Sequence, residues 1–207
     1  MNRKQIIAVT NRHLTDGNPL DTIRKIAAFG PCALILREKD LTEAEYAELA
    51  YKVLEICDAA GVQLFVHSHI ETALETGCRA VHLSIPSLRK LLNEQWDAKV
   101  TTGRELQSEK GGTDLHEAVS FLSVSCHSIE EVREAVAAGA TQIVLGNIFE
   151  TDCKKGKPGR GLDFLRDAVE AAGTVPVYGI GGITPENLGA VLQTGAAGGC
   201  MMSWWYR

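Results

Sequence analysis

Three segments of the chain repeat the same order of elements, and this repetition constrains the fold more than any other feature of the sequence. In each segment a helix-forming stretch ends at a glycine, and a short apolar stretch follows. These segments are Glu71–Gly77 with Ala80–Ser84, Glu130–Gly139 with Gln142–Gly146, and Glu186–Gly195 with Gly199–Ser203. A glycine suits the left-handed position just after a helix, and strands that are apolar on both faces are typical of buried parallel sheets.

The same pattern extends over the whole chain and predicts eight strands and seven helices. We predict strands near 5–10, 32–37, 62–67, 79–84, 120–126, 142–147, 175–180 and 199–203. The predicted helices lie near 19–29, 42–60, 70–77, 86–96, 128–138, 161–172 and 184–194. This alternation is the signature of parallel βα units. Residues suited to catalysis follow nearly every strand, which favours a closed (β/α)8 TIM barrel over an open doubly wound sheet.

We expect one domain over residues 1–207, with two irregularities. Residues 97–119 form an irregular insertion that fits no simple helix, and only Trp204–Arg207 follow the last strand, so the barrel lacks a full eighth helix. A closed barrel normally covers its strands with apolar helix surface. We therefore expect Trp204 and Trp205 to fold back over the barrel or to be buried in a homodimer interface.

Charge and cysteine content narrow the class of protein. The net charge of −5 argues against a partner such as nucleic acid or an anionic membrane, which requires a basic surface. No apolar run is long enough to span a membrane, and the N-terminal segment is too short for a signal peptide. The six cysteines are spread evenly without a CxxC pair, so we expect reduced thiols in a cytoplasmic protein.

The turn after the seventh strand is a candidate phosphate site. Gly181 and Gly182 allow backbone N–H groups to approach an anion, and Thr184 and Pro185 suit the start of the following helix. The end of the eighth strand, Met202–Ser203, lies beside this turn in a closed barrel. Barrels often bind phosphate between these two loops, although a plain tight turn would have a similar sequence.

Other polar residues follow the second, third, fifth and sixth strands. Arg37 and Lys39 lie on one side of an extended chain and could grip an anion, or belong to a solvated loop. The basic, glycine-containing loop over 147–160 is either a lid over an anionic substrate or a solubilising loop. Its Cys153 is either a reactive thiol or a packing residue. Imidazoles for acid–base chemistry or a metal follow two strands: His67, His69 and His127. His82, inside the fourth strand, is interpreted as a packing or bridging residue.

The chain resembles the family of thiamine phosphate synthase and TenI barrels from Ile6 to Ser203, apart from the insertion. The resemblance is carried by Leu36–Asp40, Ala80–Leu83, Ser125–His127, Thr151–Lys154 and Ile180–Asn187, and Phe149–Gly156 is similar to the TenI branch. It implies that Gly181, Gly182, Met202 and Ser203 hold a thiazole phosphate. It also implies that a pyrimidine diphosphate would contact Arg37, Lys39, Ser125 and Lys154, and it adds His67, Thr151 and Cys153 to the substrate-binding residues.

The resemblance also bears on the reaction. The synthases hold Mg²⁺ on two aspartates, and the matching positions here are serines, Ser68 and Ser87. Hydroxyl groups are poor ligands for Mg²⁺, so we expect no cofactor, with Mg²⁺ required only if the chain is a synthase after all. TenI proteins isomerise a carboxylated thiazole phosphate with a histidine where this chain has Asn147, which leaves His127 as the expected acid–base group and Asn147 to orient the substrate.

Three hypotheses about function therefore stand. The first is a TenI-like isomerase of carboxythiazole phosphate. The second is a thiamine phosphate synthase, which would transfer the pyrimidine to a thiazole phosphate. The third is a barrel that binds thiazole or thiamine phosphate without catalysis, as a carrier or regulator.

Overall fold

A computed structural model describes residues 2–93, 119–151 and 156–207. Eight parallel strands form a closed barrel in which each strand pairs with its neighbours in the sequence and the eighth pairs with the first. The strands are β1 (Ile6–Val9), β2 (Ala33–Leu36), β3 (Gln63–His67), β4 (Ala80–Ser84), β5 (Phe121–Cys126), β6 (Gln142–Gly146), β7 (Val177–Ile180) and β8 (Gly198–Met201). The predicted (β/α)8 fold is thus confirmed.

Seven α-helices in the described part of the chain surround the barrel. They are α1 (Pro19–Phe29), α2 (Glu43–Ala60), α3 (Ile70–Thr76), α4 (Ile85–Asn93), α5 (Ile129–Ala137), α6 (Gly161–Ala172) and α7 (Leu188–Leu192). The three glycines of the repeated segments, Gly77, Gly139 and Gly195, all have positive φ, as the sequence predicted. The insertion predicted over 97–119 lies outside the described residues, except for Val119, which is buried.

Local signals in the sequence explain where the first helices begin. The side chain of Asn18 accepts a hydrogen bond from the Leu20 N–H, and Pro19 occupies the first turn of α1. Thr42 and Glu45 form a reciprocal capping box at the start of α2. Each cap satisfies N–H groups that have no partner within the helix.

The start of α7 differs from the prediction. Thr184 was expected to cap a helix that begins there, but the helix begins at Leu188. The side chain of Asn187 instead accepts a hydrogen bond from the Thr184 N–H and donates one to the Gly182 carbonyl. These two bonds close a turn that leads into the helix, and the N-cap position is Asn187, so the cap assigned to Thr184 is wrong.

The interior of the barrel combines apolar and polar side chains. Most strand residues, including Ile7, Ile35 and Leu83, are fully buried, either inside the barrel or between the strands and the helices. Three polar residues on neighbouring strands lie side by side, and each is buried or half-buried. His82 on β4 pairs in register with His67 on β3 and with Ser123 on β5. No helix in the described part of the chain is long and apolar enough to span a membrane.

The C-terminal residues cover α1, where an eighth helix would otherwise pack. A 3-10 helix over Ser203–Tyr206 places the rings of Trp204 and Trp205 on Phe29, with ring centroids 5.9 and 5.2 Å away. The Tyr206 hydroxyl accepts a hydrogen bond from the Asn11 N–H at 2.8 Å. Both indoles are half-buried, so folding back over the barrel, one of the two predicted arrangements, is what the structure shows.

We expect Trp205→Phe to destabilise the fold because the Trp205 indole N–H donates a hydrogen bond to the Met201 carbonyl at the end of β8. Losing such a bond costs about 1 kcal/mol of unfolding free energy. Urea unfolding measures this loss, and Trp204→Phe is the matched control because no hydrogen bond joins the Trp204 indole to the described residues. Equal losses in the two variants would contradict a role for the bond.

Candidate active site

The mouth of the barrel, at the carboxyl ends of the strands, collects most of the predicted site residues. Arg37 follows β2, His67 ends β3, Ser125 lies near the end of β5, and Asn147 follows β6. Gly181 follows β7. In parallel barrels these strand ends face the same side, so residues that are far apart in sequence share one surface.

Tyr46 joins the ends of β2 and β3. Its hydroxyl donates to the Leu36 carbonyl at 2.6 Å and accepts from the His67 N–H at 3.0 Å. Its ring stacks on His69 with centroids 3.9 Å apart. Tyr46 is completely buried on α2, and burial raises the pKa of its phenol well above the ordinary value. The sequence analysis missed this residue, since a tyrosine on the apolar face of a helix is ordinary core packing.

Positive charge surrounds His67 at this side of the mouth. Burial, together with the charges of Arg37 and Lys39, lowers the pKa of His67 to about 4. The imidazole is therefore neutral near neutral pH, and its Nδ1 lies 3.1 Å from the Ser68 hydroxyl. The two cations would attract an anionic ligand here, and the substrate-binding roles implied for Arg37, Lys39 and His67 stay predictions.

Glu38 fixes the loop after β1 behind these cations. Both oxygens of its buried carboxylate accept the Arg12 N–H, each at 3.1 Å. The Arg12 guanidinium contacts Asp40 through two hydrogen bonds of 2.5 and 2.7 Å. That pairing holds the pKa of the Asp40 carboxyl well below its ordinary value. Glu38 and Asp40 thus hold the loop after β1 in place at the mouth of the barrel.

The turn after β7 packs directly against the loop after β6. The Ile148 N–H donates to the Ile180 carbonyl at 2.8 Å, and the Phe149 N–H donates to the Gly181 carbonyl at 3.0 Å. Gly181 has a φ of +100°, and a Cβ there would lie 2.7 Å from the Asn147 Cβ. A Cβ at Gly182 would lie 2.5 Å from the Glu150 carbonyl oxygen. Both glycines are therefore required by this close packing as well as suited to an anion.

Arg160 connects the loop after β6 to the end of β5. Its N–H donates to the Asn147 carbonyl at 3.0 Å, while its guanidinium donates to the His127 carbonyl. The side-chain nitrogen of Asn147, which is 7% exposed, faces the carbonyls of residues 149, 157 and 158 at 3.3 to 3.5 Å. Gly181 thus lies against Asn147, and Arg160 links Asn147 to the backbone of His127.

His127 lies at the exposed edge of this group. Its N–H donates to the Glu131 carboxylate at 2.5 Å, and its Nδ1 lies 3.7 Å from the same carboxylate. The side chain is 55% exposed, so its imidazole is accessible from solvent. A neighbouring carboxylate is the usual device for orienting an imidazole that exchanges protons.

The structure gives less detail for the remaining predicted site residues, which lie after β8 and in the loop after β6. Because Ile180 pairs with Cys200, residues 202 and 203 follow β8 beside the glycine turn; Met202 is half-buried and Ser203 is exposed. Thr151 is half-buried at the end of the described loop. Cys153 and Lys154 lie outside the described residues.

The side chains after β3 and β4 do not suit a magnesium ion. Ser68 contacts His67, and the hydroxyls of Ser84 and Ser87 hydrogen-bond to each other at 2.8 Å. These neutral hydroxyls replace the carboxylates that Mg²⁺ prefers. In the described part of the chain, no group of three or more His, Cys, Asp or Glu side chains is arranged to hold a metal ion.

The two buried imidazoles make stability depend on pH. Burial, with smaller effects of His67 and Arg37, lowers the pKa of His82 to about 3. Unfolded histidine titrates near pH 6.5, so the unfolded chain binds more protons and stability is lost as the pH falls below that value.

We expect His82 alone to lower the unfolding free energy by roughly 2 kcal/mol between pH 7 and pH 5, with His67 acting in the same direction. Urea unfolding at the two pH values measures the loss, and His82→Gln, which has no imidazole at this position, should reduce it. An equal loss in parent and variant would show that His82 is not responsible.

Comparison with known proteins supports one family. The family described as thiamine monophosphate synthase matches residues 6–204. A thiamine-phosphate synthase of Bacillus mycoides is 33% identical over 189 residues, which cover 89% of this chain and 77% of the relative. That of Moorella thermoacetica is 31% identical and covers 96% and 86%. A solved structure of thiamine phosphate pyrophosphorylase from Pyrococcus furiosus has a TM-score of 0.72 at 24% identity, over 98% of this chain and 87% of the other.

Proposed function

Since the chain belongs to the thiamine monophosphate synthase family, we propose that it is an enzyme of thiamine biosynthesis that binds a thiazole phosphate at the barrel mouth. The phosphate would lie on the N–H groups of Gly181 and Gly182, beside Met202 and Ser203. Positive φ at both glycines and the absence of side chains support this placement, since backbone N–H groups in such turns form concave anion sites.

The reaction that the geometry supports best is isomerisation of a carboxylated thiazole phosphate to its aromatic form. This reaction moves a proton and needs one acid–base group but no metal. The supporting observation is the set of contacts from Gly181 through Asn147 and Arg160 to His127. In this proposal His127 moves the proton, Glu131 orients its ring, and Asn147 holds the loop that borders the substrate.

Transfer of a pyrimidine from its diphosphate to the thiazole phosphate is the second candidate. The names of the curated relatives favour it over isomerisation, because those relatives are called thiamine-phosphate synthases. The cations near His67 would suit a diphosphate. However, Ser68 and Ser87 do not provide the carboxylates for the Mg²⁺ that neutralises a leaving diphosphate.

One assay separates these reactions. The purified protein is incubated with carboxythiazole phosphate alone, and then with pyrimidine diphosphate and Mg²⁺ added, and the products are followed by mass spectrometry and NMR. Formation of the aromatic isomer in the first mixture supports the isomerase. Thiamine phosphate formed only in the second mixture supports the synthase, and saturable binding without product supports a carrier.

The proposal also covers the ligand class, the cellular location and the oligomeric state of the protein. Its ligand would be a small phosphate, without nucleic acid or membrane partners, in the cytoplasm. A homodimer remains our expectation, and sedimentation at several protein concentrations would test it.

A further inference from the structure

Four polar side chains form a continuous row through the interior of the barrel. The Gln142 side-chain N–H donates to the Ser123 hydroxyl at 2.9 Å, and that oxygen lies 2.7 Å from His82 Nδ1. His82 Nε2 lies 2.7 Å from the Ser125 hydroxyl. Ser123 is fully buried and His82 is 4% exposed, while Gln142 and Ser125 are half-buried at opposite ends of the row.

The donors and acceptors available in this row determine the direction of each of its hydrogen bonds. The Gln142 amide nitrogen can only donate, so the Ser123 oxygen accepts from it. The Ser123 proton then needs an acceptor, and His82 Nδ1 is its other partner in the described part of the chain. A neutral imidazole that accepts at Nδ1 carries its proton at Nε2. His82 therefore donates to Ser125, and the Ser125 proton points away from His82.

We propose that His82 is a positioning residue, and that the row from Gln142 through Ser123 fixes its protonated nitrogen so that the Ser125 hydroxyl is presented as a donor to an anionic substrate oxygen. The inference rests on the proposed function in one respect, that the substrate reaches Ser125. It assigns a role to residues buried below the mouth, which do not touch the substrate.

Reversing the donor at the far end of the row should reverse every bond in it. In Gln142→Glu the carboxylate accepts from Ser123, whose oxygen then accepts from His82 Nδ1–H. His82 Nε2 becomes an acceptor and takes the Ser125 proton, so the hydroxyl can no longer donate to the substrate. Gln63→Glu is the matched control: Gln63 begins β3 as Gln142 begins β6, but among the described residues its amide hydrogen-bonds only to the Leu64 carbonyl.

The experiment combines a direct readout of the imidazole with a binding measurement. Nitrogen-15 NMR identifies which nitrogen of His82 carries the proton, and calorimetry measures the affinity for inorganic pyrophosphate without metal. We expect Nε2–H in the parent and in Gln63→Glu, and Nδ1–H in Gln142→Glu. Pyrophosphate should bind Gln142→Glu roughly 10- to 100-fold more weakly than the control, as expected for losing a hydrogen bond to a charged group.

A second pair of variants separates donation to Ser125 from filling of space. The amide nitrogen of His82→Gln can occupy the place of Nε2 and donate to Ser125, whereas His82→Asn reaches only Ser123. We expect His82→Gln to bind pyrophosphate nearly as the parent does, and His82→Asn to bind as weakly as Ser125→Ala.

Nδ1–H in the parent would overturn the inference, as would equal affinities in the two His82 variants or in the two glutamate variants. A parent that fails to bind pyrophosphate while His82 is protonated at Nε2 would instead refute the premise that an anionic substrate group reaches Ser125, which is separate from the thiazole phosphate site at Gly181 and Gly182. The direction of the hydrogen bonds would stand.

Discussion

Gly181→Ala is expected to abolish turnover and to destabilise the barrel. The new Cβ would lie 2.7 Å from the Asn147 Cβ and 3.0 Å from its Cα, and the φ of +100° is unfavourable for alanine. Strain of this kind costs about 1–3 kcal/mol, and overpacking against backbone adds a similar amount. Because the loop after β6 must move away, the packing that shapes the proposed phosphate site would be lost.

Gly189→Ala is the matched control for this prediction. Gly189 lies in α7, and a Cβ there meets no described atom within 4 Å outside the helix's own backbone. Alanine is favoured over glycine in a helix by about 0.5–1 kcal/mol, so this variant should be at least as stable as the parent. Urea unfolding and phosphate binding are measured for both. A Gly181→Ala protein with parental stability and affinity would contradict the packing argument.

His127→Ala is expected to lower isomerisation by about 10²–10⁴-fold, the usual contribution of a general acid–base group. Stability should change little, because the side chain is 55% exposed. Asn147→Ala should mainly weaken substrate binding, because it removes the side-chain N–H group that hydrogen-bonds to the loop carbonyls and holds the loop in place. Steady-state kinetics that separate kcat from KM distinguish these two effects.

His13→Ala is the control for removal of an exposed imidazole. His13 contacts Asp40 at 2.9 Å on the loop after β1, and the proposal gives it no part in proton transfer. Its kinetics should match those of the parent. A His127→Ala protein that retains full isomerase activity would show that the base lies elsewhere, and His67 would be the next imidazole to test.

The order of strands and helices could be predicted because the same sequence pattern recurs along the chain. Apolar strands, helix stops at glycine and short connections occur along the whole chain, so two helices, Pro19–Phe29 and Gly161–Ala172, match the prediction at both ends. The start of α7 was not predictable in the same way. Thr184 and Asn187 are both good capping residues by type, but the Asn187 side chain bonds to Thr184 and Gly182 and makes no capping hydrogen bond to α7.

The loops that form the site could be predicted, but the hydrogen bonds that connect their residues could not. A barrel places Arg37, His67, Ser125 and Gly181 at one mouth regardless of their separation in sequence. Which side chains connect them depends on packing. Arg160 was visible only as one of several cations in a basic loop, and nothing in the sequence marks its bonds to residues 127 and 147.

The joined loops after β6 and β7 determine how this barrel can be redesigned. Their backbones share two hydrogen bonds, and each glycine of the turn leaves room for an atom of the neighbouring loop. Grafting residues 147–151 from another barrel without its own glycine turn would combine two surfaces that were not selected together. The practical unit of exchange is therefore the pair of loops, and chimeras should be cut within α5, ahead of β6, and again beyond Asn187.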